Sequence, residues 1–196
     1  MLLLYLLFGG LIAGLLLGGR LSALADVRFR WWPIALGGLV FQALLFSEPL
    51  ATQVGSAGPA LYVISTVFVL VALLRNIGLP GFAVIALGAG LNLAAILANG
   101  GRMPADPQAF AVLTGQPRPP TDLFSNSTLA GPGTPLAFLG DIFVLPRPLP
   151  FANVFSIGDV LIGVGAALFL IWTMRRGTAA GAPTGIALDR ASARGR

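Results

Sequence analysis

The sequence predicts an all-α integral membrane protein: five transmembrane helices with a long extracytoplasmic loop containing a short interfacial or re-entrant segment. Two observations carry that prediction. Apolar residues make up 56% of the 196-residue chain and charged residues only 10%, too little polar surface to cover a water-soluble domain, so the bilayer is the expected solvent. The few charges also lie at the ends of the apolar runs rather than inside them, as topology signals do. The expected organisation is a membrane domain over residues 1–176 and a disordered cytoplasmic tail over 177–196, rich in Gly, Ala, Thr and Arg without apolar periodicity.

The first span is read over residues 2–18. It is apolar throughout, and Gly10, Gly14 and Gly18 recur at intervals of four, a small-residue stripe against which another helix can lie. A cleavable leader is the competing reading, because Ala23-Leu24-Ala25 resembles a cleavage site. However, no positive side chain precedes the apolar run and Arg20 follows it, the reverse of a leader's usual order. Arg20, Arg28 and Arg30 then mark a connection, with Trp31 and Trp32 as interfacial anchors. The second span, 31–50, starts with Pro33 in its first turn, where the missing N–H costs nothing. The third covers 59–74 and stops at Arg75. The fourth covers 79–98, with Ala86, Gly90 and Ala94 forming a second smooth face that is expected to pack on the glycine stripe of the first span. Asn92 lies near its middle, where an unpaired amide is costly, so a hydrogen bond to another helix, such as to Gln42, is expected. The fifth span, 157–174, closes on Trp172 and the pair Arg175-Arg176.

Between the fourth and fifth spans lies an outer loop, 99–156, holding most of the fifteen prolines. Asp106 to Thr134 reads as irregular chain with turn signals such as Gly131-Pro132-Gly133. A loop of this length is functional or disordered. With the amino terminus outside, nine of the twelve basic residues, all of them arginine, fall on the cytoplasmic side. That bias places the protein in a bacterial inner membrane with its carboxyl terminus inside and the long loop outside.

Pro135 to Asp159 is the stretch the rest is organised to hold. It repeats one phrase, Leu139-Gly140-Asp141 and Ile157-Gly158-Asp159, in a chain with only seven acidic residues. Leu136 to Leu145 is too short to span and is bounded by prolines, as suits an interfacial or re-entrant segment. Asp141 is expected to pair with Arg147 or Arg102, with catalysis or ion binding as its functional alternatives. Ser156 and Asp159 have capping-box spacing, which seats the acid in a helix's first turn.

The phrases Ala98-Asn99-Gly100-Gly101-Arg102-Met103-Pro104, Phe138-Leu139-Gly140-Asp141-Ile142-Phe143 and Asn153-Val154-Phe155-Ser156-Ile157-Gly158-Asp159-Val160 resemble the signatures of a bacterial integral membrane protein family, domain of unknown function 5317. The early Gly-Gly-Arg-Leu-Ser at Gly18 to Ser22, followed by Trp31-Trp32, is similar too. The resemblance runs to Arg176 apart from Asp106 to Gly133. It implies the membrane fold and the importance of this outer face, and implies no reaction.

The chain has no His and no Cys. That excludes disulfides, thiol redox chemistry, imidazole- or thiolate-held metals and the usual general base of serine and cysteine hydrolases. No cofactor is expected, and a divalent cation on the acids is the one metal candidate. The first functional expectation is an accessory, assembly or scaffold subunit, whose partners are the lipid bilayer and other membrane protein subunits and not nucleic acid. A second is an extracytoplasmic-face enzyme on a lipid-linked substrate, with Asp141 and Asp159 as catalytic carboxylates and Asn99, Arg102, Arg147 and Asn153 beside them in binding. A third is a small neutral-solute transporter.

Overall fold

The computed structural model describes residues 1–47, 50–115 and 126–179. Residues 48–49 of the expected second span and the tail beyond Ala179 lie outside the described residues. The first helix, α1 (Leu2–Leu16), ends because Gly18 takes a left-handed φ of +80° that only glycine adopts cheaply. Helix α2 (Trp32–Leu45) carries Pro33 in its first turn, as expected, and stops at Phe46. A short helix, α3 (Leu50–Val54), and a 3-10 turn lead into α4 (Gly58–Leu74). Gly81, at a φ of +79°, turns the chain into α5 (Phe82–Ala98).

The segment expected to be irregular carries short regular elements. Strand β1 (Met103–Ala105) runs parallel to β2 (Ser127–Leu129), with Met103 facing Ser127. Between them sits α6 (Pro107–Thr114), whose N-cap Asp106 accepts from the N–H groups of Gln108 and Ala109, each at 2.8 Å. This cap was legible as Asp-Pro before an apolar run. Strands β3 (Phe143–Leu145) and β4 (Asn153–Phe155) form an antiparallel hairpin. The Phe143 and Phe155 rings stack across it at 5.5 Å. Leu136 to Leu145, expected as one interfacial segment, is a 3-10 turn (Ala137–Leu139), a bridge pairing Asp141 with Ala105, and β3. The last helix, α7 (Ile157–Ala179), follows at once.

Helix α7 lies at the centre, packed on α1 along one side and on α5 along the other; α5 continues onto α4, and α4 onto α2. Its closeness to both neighbours comes from glycine. A Cβ on Gly10 would meet Ala167, 2.9 Å from its Cβ, and one on Gly14 would meet the Met174 sulfur at 2.8 Å. Facing α5, Gly88 lies against the Gly158 carbonyl and Gly81 against that of Gly165. The glycine stripe of α1 is therefore a helix seat, but its occupant is α7 rather than the Ala86/Gly90/Ala94 face of α5. Gly18 takes no part because it ends the helix. On α5, Ala86 is buried and Ala94 half-buried, and nothing lies near the Cβ position of Gly90. Spacing of four identified small residues on α5, while the contact row runs Gly81, Ile85, Gly88 and Asn92, alternating three and four as a helix face does.

The segments Gly55–Leu74 and Ile157–Arg176 are long and apolar enough to cross a membrane, and Leu2–Leu16, Trp32–Leu45 and Phe82–Ala98 are shorter apolar helices. At 1.5 Å per residue the shorter three reach only about 21–26 Å. Outward-facing Phe8, Leu16, Leu36, Phe68, Leu87 and Leu97 are exposed, a surface suited to hydrocarbon. These features point to membrane association.

The two ends of the bundle differ. At one end the Met1 amino group donates to the Phe151 carbonyl and the Tyr5 hydroxyl to that of Pro150 at 2.9 Å, tying the start of α1 to the β3–β4 turn. At the other, the Arg20 N–H donates to the Met174 carbonyl at 3.0 Å and Arg75 lies over the Trp31 ring at 5.0 Å. Buried Asn76 fastens this end: its Oδ1 accepts from Arg30 N–H at 2.8 Å, while Nδ2 donates to the carbonyls of Arg30 (2.6 Å) and Ala72 (2.7 Å). Asn76→Ala leaves the Arg30 backbone groups without this partner, an expected loss of about 1–3 kcal/mol. Thermal unfolding in detergent measures it, with faster trypsin cleavage at Arg28 and Arg30. Unchanged unfolding and cleavage would remove Asn76 as the fastening.

Candidate functional site

Five polar side chains from five parts of the chain meet where the helices join the cap, the segment of short strands and turns between α5 and α7. Tyr62 comes from α4, Asn92 from α5, Asn126 from just before β2, Asp141 from the bridge segment and Asp159 from the first turn of α7. With Ile96 and Met103 they line a polar chamber of about 120 Å3. Asp159 is held on both carboxylate oxygens. Oδ1 accepts from Asn92 Nδ2 at 2.9 Å, and Oδ2 accepts from the Ser156 N–H at 3.1 Å. The Ser156 hydroxyl accepts from the Asp159 N–H at 3.0 Å and donates to Asn92 Oδ1 at 2.8 Å. The expected capping box is thus present, and Asn92 extends it across to α5. Gly158 allows this, since a Cβ there would strike the Asn92 side chain. The partner of Asn92 is therefore α7 and not Gln42, whose Nε2 donates instead to Ser65 Oγ (3.1 Å) and Thr66 Oγ1 (3.2 Å).

Asp141 reaches the chamber from the other wall. Its N–H donates to the Pro104 carbonyl at 2.8 Å and its own carbonyl accepts from Asp106 N–H at 3.0 Å, which fixes the backbone beside β1. Burial, and then the negative charge of Asp159, push the Asp141 carboxyl from the ordinary 3.8 up to about 7. A dominant arginine partner would act in the opposite direction. Asp141 is therefore governed by desolvation and a second acid rather than by the ion pair expected with Arg147 or Arg102. Arg147 is exposed between β3 and β4, and Arg102 is half-buried at the turn into β1.

The other expected binding residues divide. Asn99 is structural: its Nδ2 donates to the carbonyls of Ala95 and Pro135, each at 2.8 Å, tying the end of α5 to the cap. Asn153 lines a second, mostly apolar groove of about 360 Å3 that shares Tyr62, Asn92, Ile96 and Asp159 with the chamber and continues to Leu39, Gln42, Thr66 and Val69. Its Nδ2 donates to the Val154 carbonyl at 2.7 Å, and its buried Oδ1 has no partner among the described residues.

Tyr62 and Asn126, whose side chains hydrogen-bond to each other, were missed as site residues. Tyr62 is one of only two tyrosines in the chain and sits within an apolar run; a phenol there was the available signal, since buried tyrosines need a partner. Asn126 lies in the stretch read as irregular chain and offered no signal. Among the described residues no three His, Cys, Asp or Glu side chains gather as a metal site. A divalent cation in the chamber would draw on two carboxylates and the neutral oxygens of Tyr62, Asn92 and Asn126.

No curated protein and no solved structure matches the chain. A family model does match, over residues 26–171, and this stretch includes every residue lining the chamber. The chain belongs to that family, the family of unknown function DUF5317.

Proposed function

We propose that this protein binds an amphiphile at the outer face of a bacterial cytoplasmic membrane, with the polar head in the chamber and the apolar tail in the groove. One observation carries the reading: a polar pocket built by Asp141, Asp159, Tyr62 and Asn126 shares a wall with a mostly apolar groove that runs between helices. Such convergence of a few polar groups on an apolar cleft is the common form of small-molecule sites. In this reading all five long helices cross the bilayer, with their exposed apolar faces in lipid. The orientation follows from charge. Arg20, Arg75 and the Arg30 backbone lie at the end opposite the cap, which favours that end inside and the chamber outside.

The test is purification in mild detergent followed by mass spectrometry of retained molecules. The expected result is an amphiphile retained near one per chain and lost from Ala89→Phe, which fills the groove wall where Ala89 stands. Retention of a stoichiometric protein subunit and no amphiphile would overturn this reading in favour of an accessory-subunit role.

A further inference from the structure

The chemistry of the chamber narrows the class of headgroup. Among the described residues lining it, the two charged ones are both carboxylates, and the rest of its polar surface comes from Tyr62, Asn92 and Asn126. Asp159 is fixed in orientation by two N–H donors and its cap, and no cation stands among the described lining residues, so a phosphate head would meet two acids in a partly desolvated space with nothing to neutralise it. An alcohol head would donate once and leave the excess charge standing. An ammonium carries three donors and the opposite charge, and placed between the two acids it supplies each with a charge-assisted hydrogen bond. The chamber has the size for it: about 120 Å3, the share of roughly four waters at about 30 Å3 each.

We propose that the headgroup taken by this chamber is an ammonium held between Asp141 and Asp159, which makes the ligand a long-chain amine. The groove, reached past the shared side chains of Asn92 and Asp159, receives its tail. The proposal rests on the amphiphile reading above and sharpens it. Binding replaces the proton that Asp141 holds near neutral pH, so occupancy rises with pH until the amine itself deprotonates.

The test uses the full chain in lipid nanodiscs at pH 8 with three photoactivatable probes of one chain length, bearing a diazirine near the tail and an amine, alcohol or phosphate head. Labelled residues are mapped by mass spectrometry. The amine is expected to label the groove residues Leu39 and Val69 about tenfold more than either other probe, a difference of about 1.4 kcal/mol. Asp141→Asn should reduce amine labelling to the alcohol's level, while Arg147→Gln, remote on the exposed turn, should leave it unchanged. Equal groove labelling by amine and alcohol, or a preference for phosphate, overturns the ammonium proposal and leaves the amphiphile reading standing. Labelling that avoids the groove with all three probes overturns both.

Discussion

Asp141→Asn is expected to stabilise the protein at pH 8 and to leave it little changed at pH 4. The Asp141 carboxyl rises from the ordinary 3.8 to about 7 in the folded chain, so the folded state holds this proton more tightly than the unfolded state. Below about pH 4 both states are protonated and the site costs nothing. Between about pH 4 and 7 the folded state binds more protons, and stability therefore falls as pH rises. Above pH 7 both states are ionised and the full cost remains. A shift of that size corresponds to about 4 kcal/mol at 1.36 kcal/mol per unit, and partial solvent access lowers the expected gain to about 2–4 kcal/mol. Asparagine keeps the shape of the neutral acid and removes the titration. Thermal unfolding of both proteins in detergent across pH 4–8 should give curves that converge in acid and separate above neutrality. Parallel curves would show that Asp141 is not a destabilising buried acid. A carboxyl kept at such a cost in stability is a group that a binding site can use.

Gly81→Ala is expected to be among the most damaging single-methyl changes to the fold. The position carries two independent penalties. Its φ of +79° is in the left-handed region, which costs alanine about 1 kcal/mol or more. The added Cβ would also run into the Gly165 carbonyl, with Phe169 N at 3.0 Å, so α7 would have to move away from α5. Together these predict a loss of about 3 kcal/mol or more. Gly90→Ala is the internal comparison: it sits inside the helix that Gly81 precedes, with nothing within 4 Å of its Cβ position, and alanine there should be neutral or stabilising by up to about 1 kcal/mol. Gly81→Ala should lower the unfolding temperature and Gly90→Ala should not. Equal effects would refute the close α5–α7 crossing.

What was legible in the sequence followed what is local. Apolar runs marked the five long helices, and Ser156 to Asp159 marked a cap that the structure contains. Helix ends were less legible, because Gly18, Phe46 and Gly81 cut the expected spans 2–18, 31–50 and 79–98 short through backbone conformation rather than hydropathy. The repeated Gly-Asp phrases pointed to two acids in one place without revealing that Asp141 faces Asp159 instead of an arginine. That juxtaposition depends on the Ala105–Asp141 bridge, a pairing between positions 36 residues apart, for which three-residue strands leave almost no periodic signal. Partner choice was the least readable feature. Spacing of four on α1 correctly located a seat for a helix, but the spacing said nothing of which helix would occupy it.

The central position of α7 also sets an order of events during synthesis. Proteins emerge from the ribosome amino terminus first, so α1, α2, α4 and α5 are all made while the crevice between Gly10 and Gly88 is still empty. The acid that completes the chamber, Asp159, resides on the helix that arrives after all of these. A chain interrupted before Ile157 would hold every other wall of the pocket yet lack the keystone that draws them together. The chamber thus gains its last wall only when the principal strut of the fold is in place.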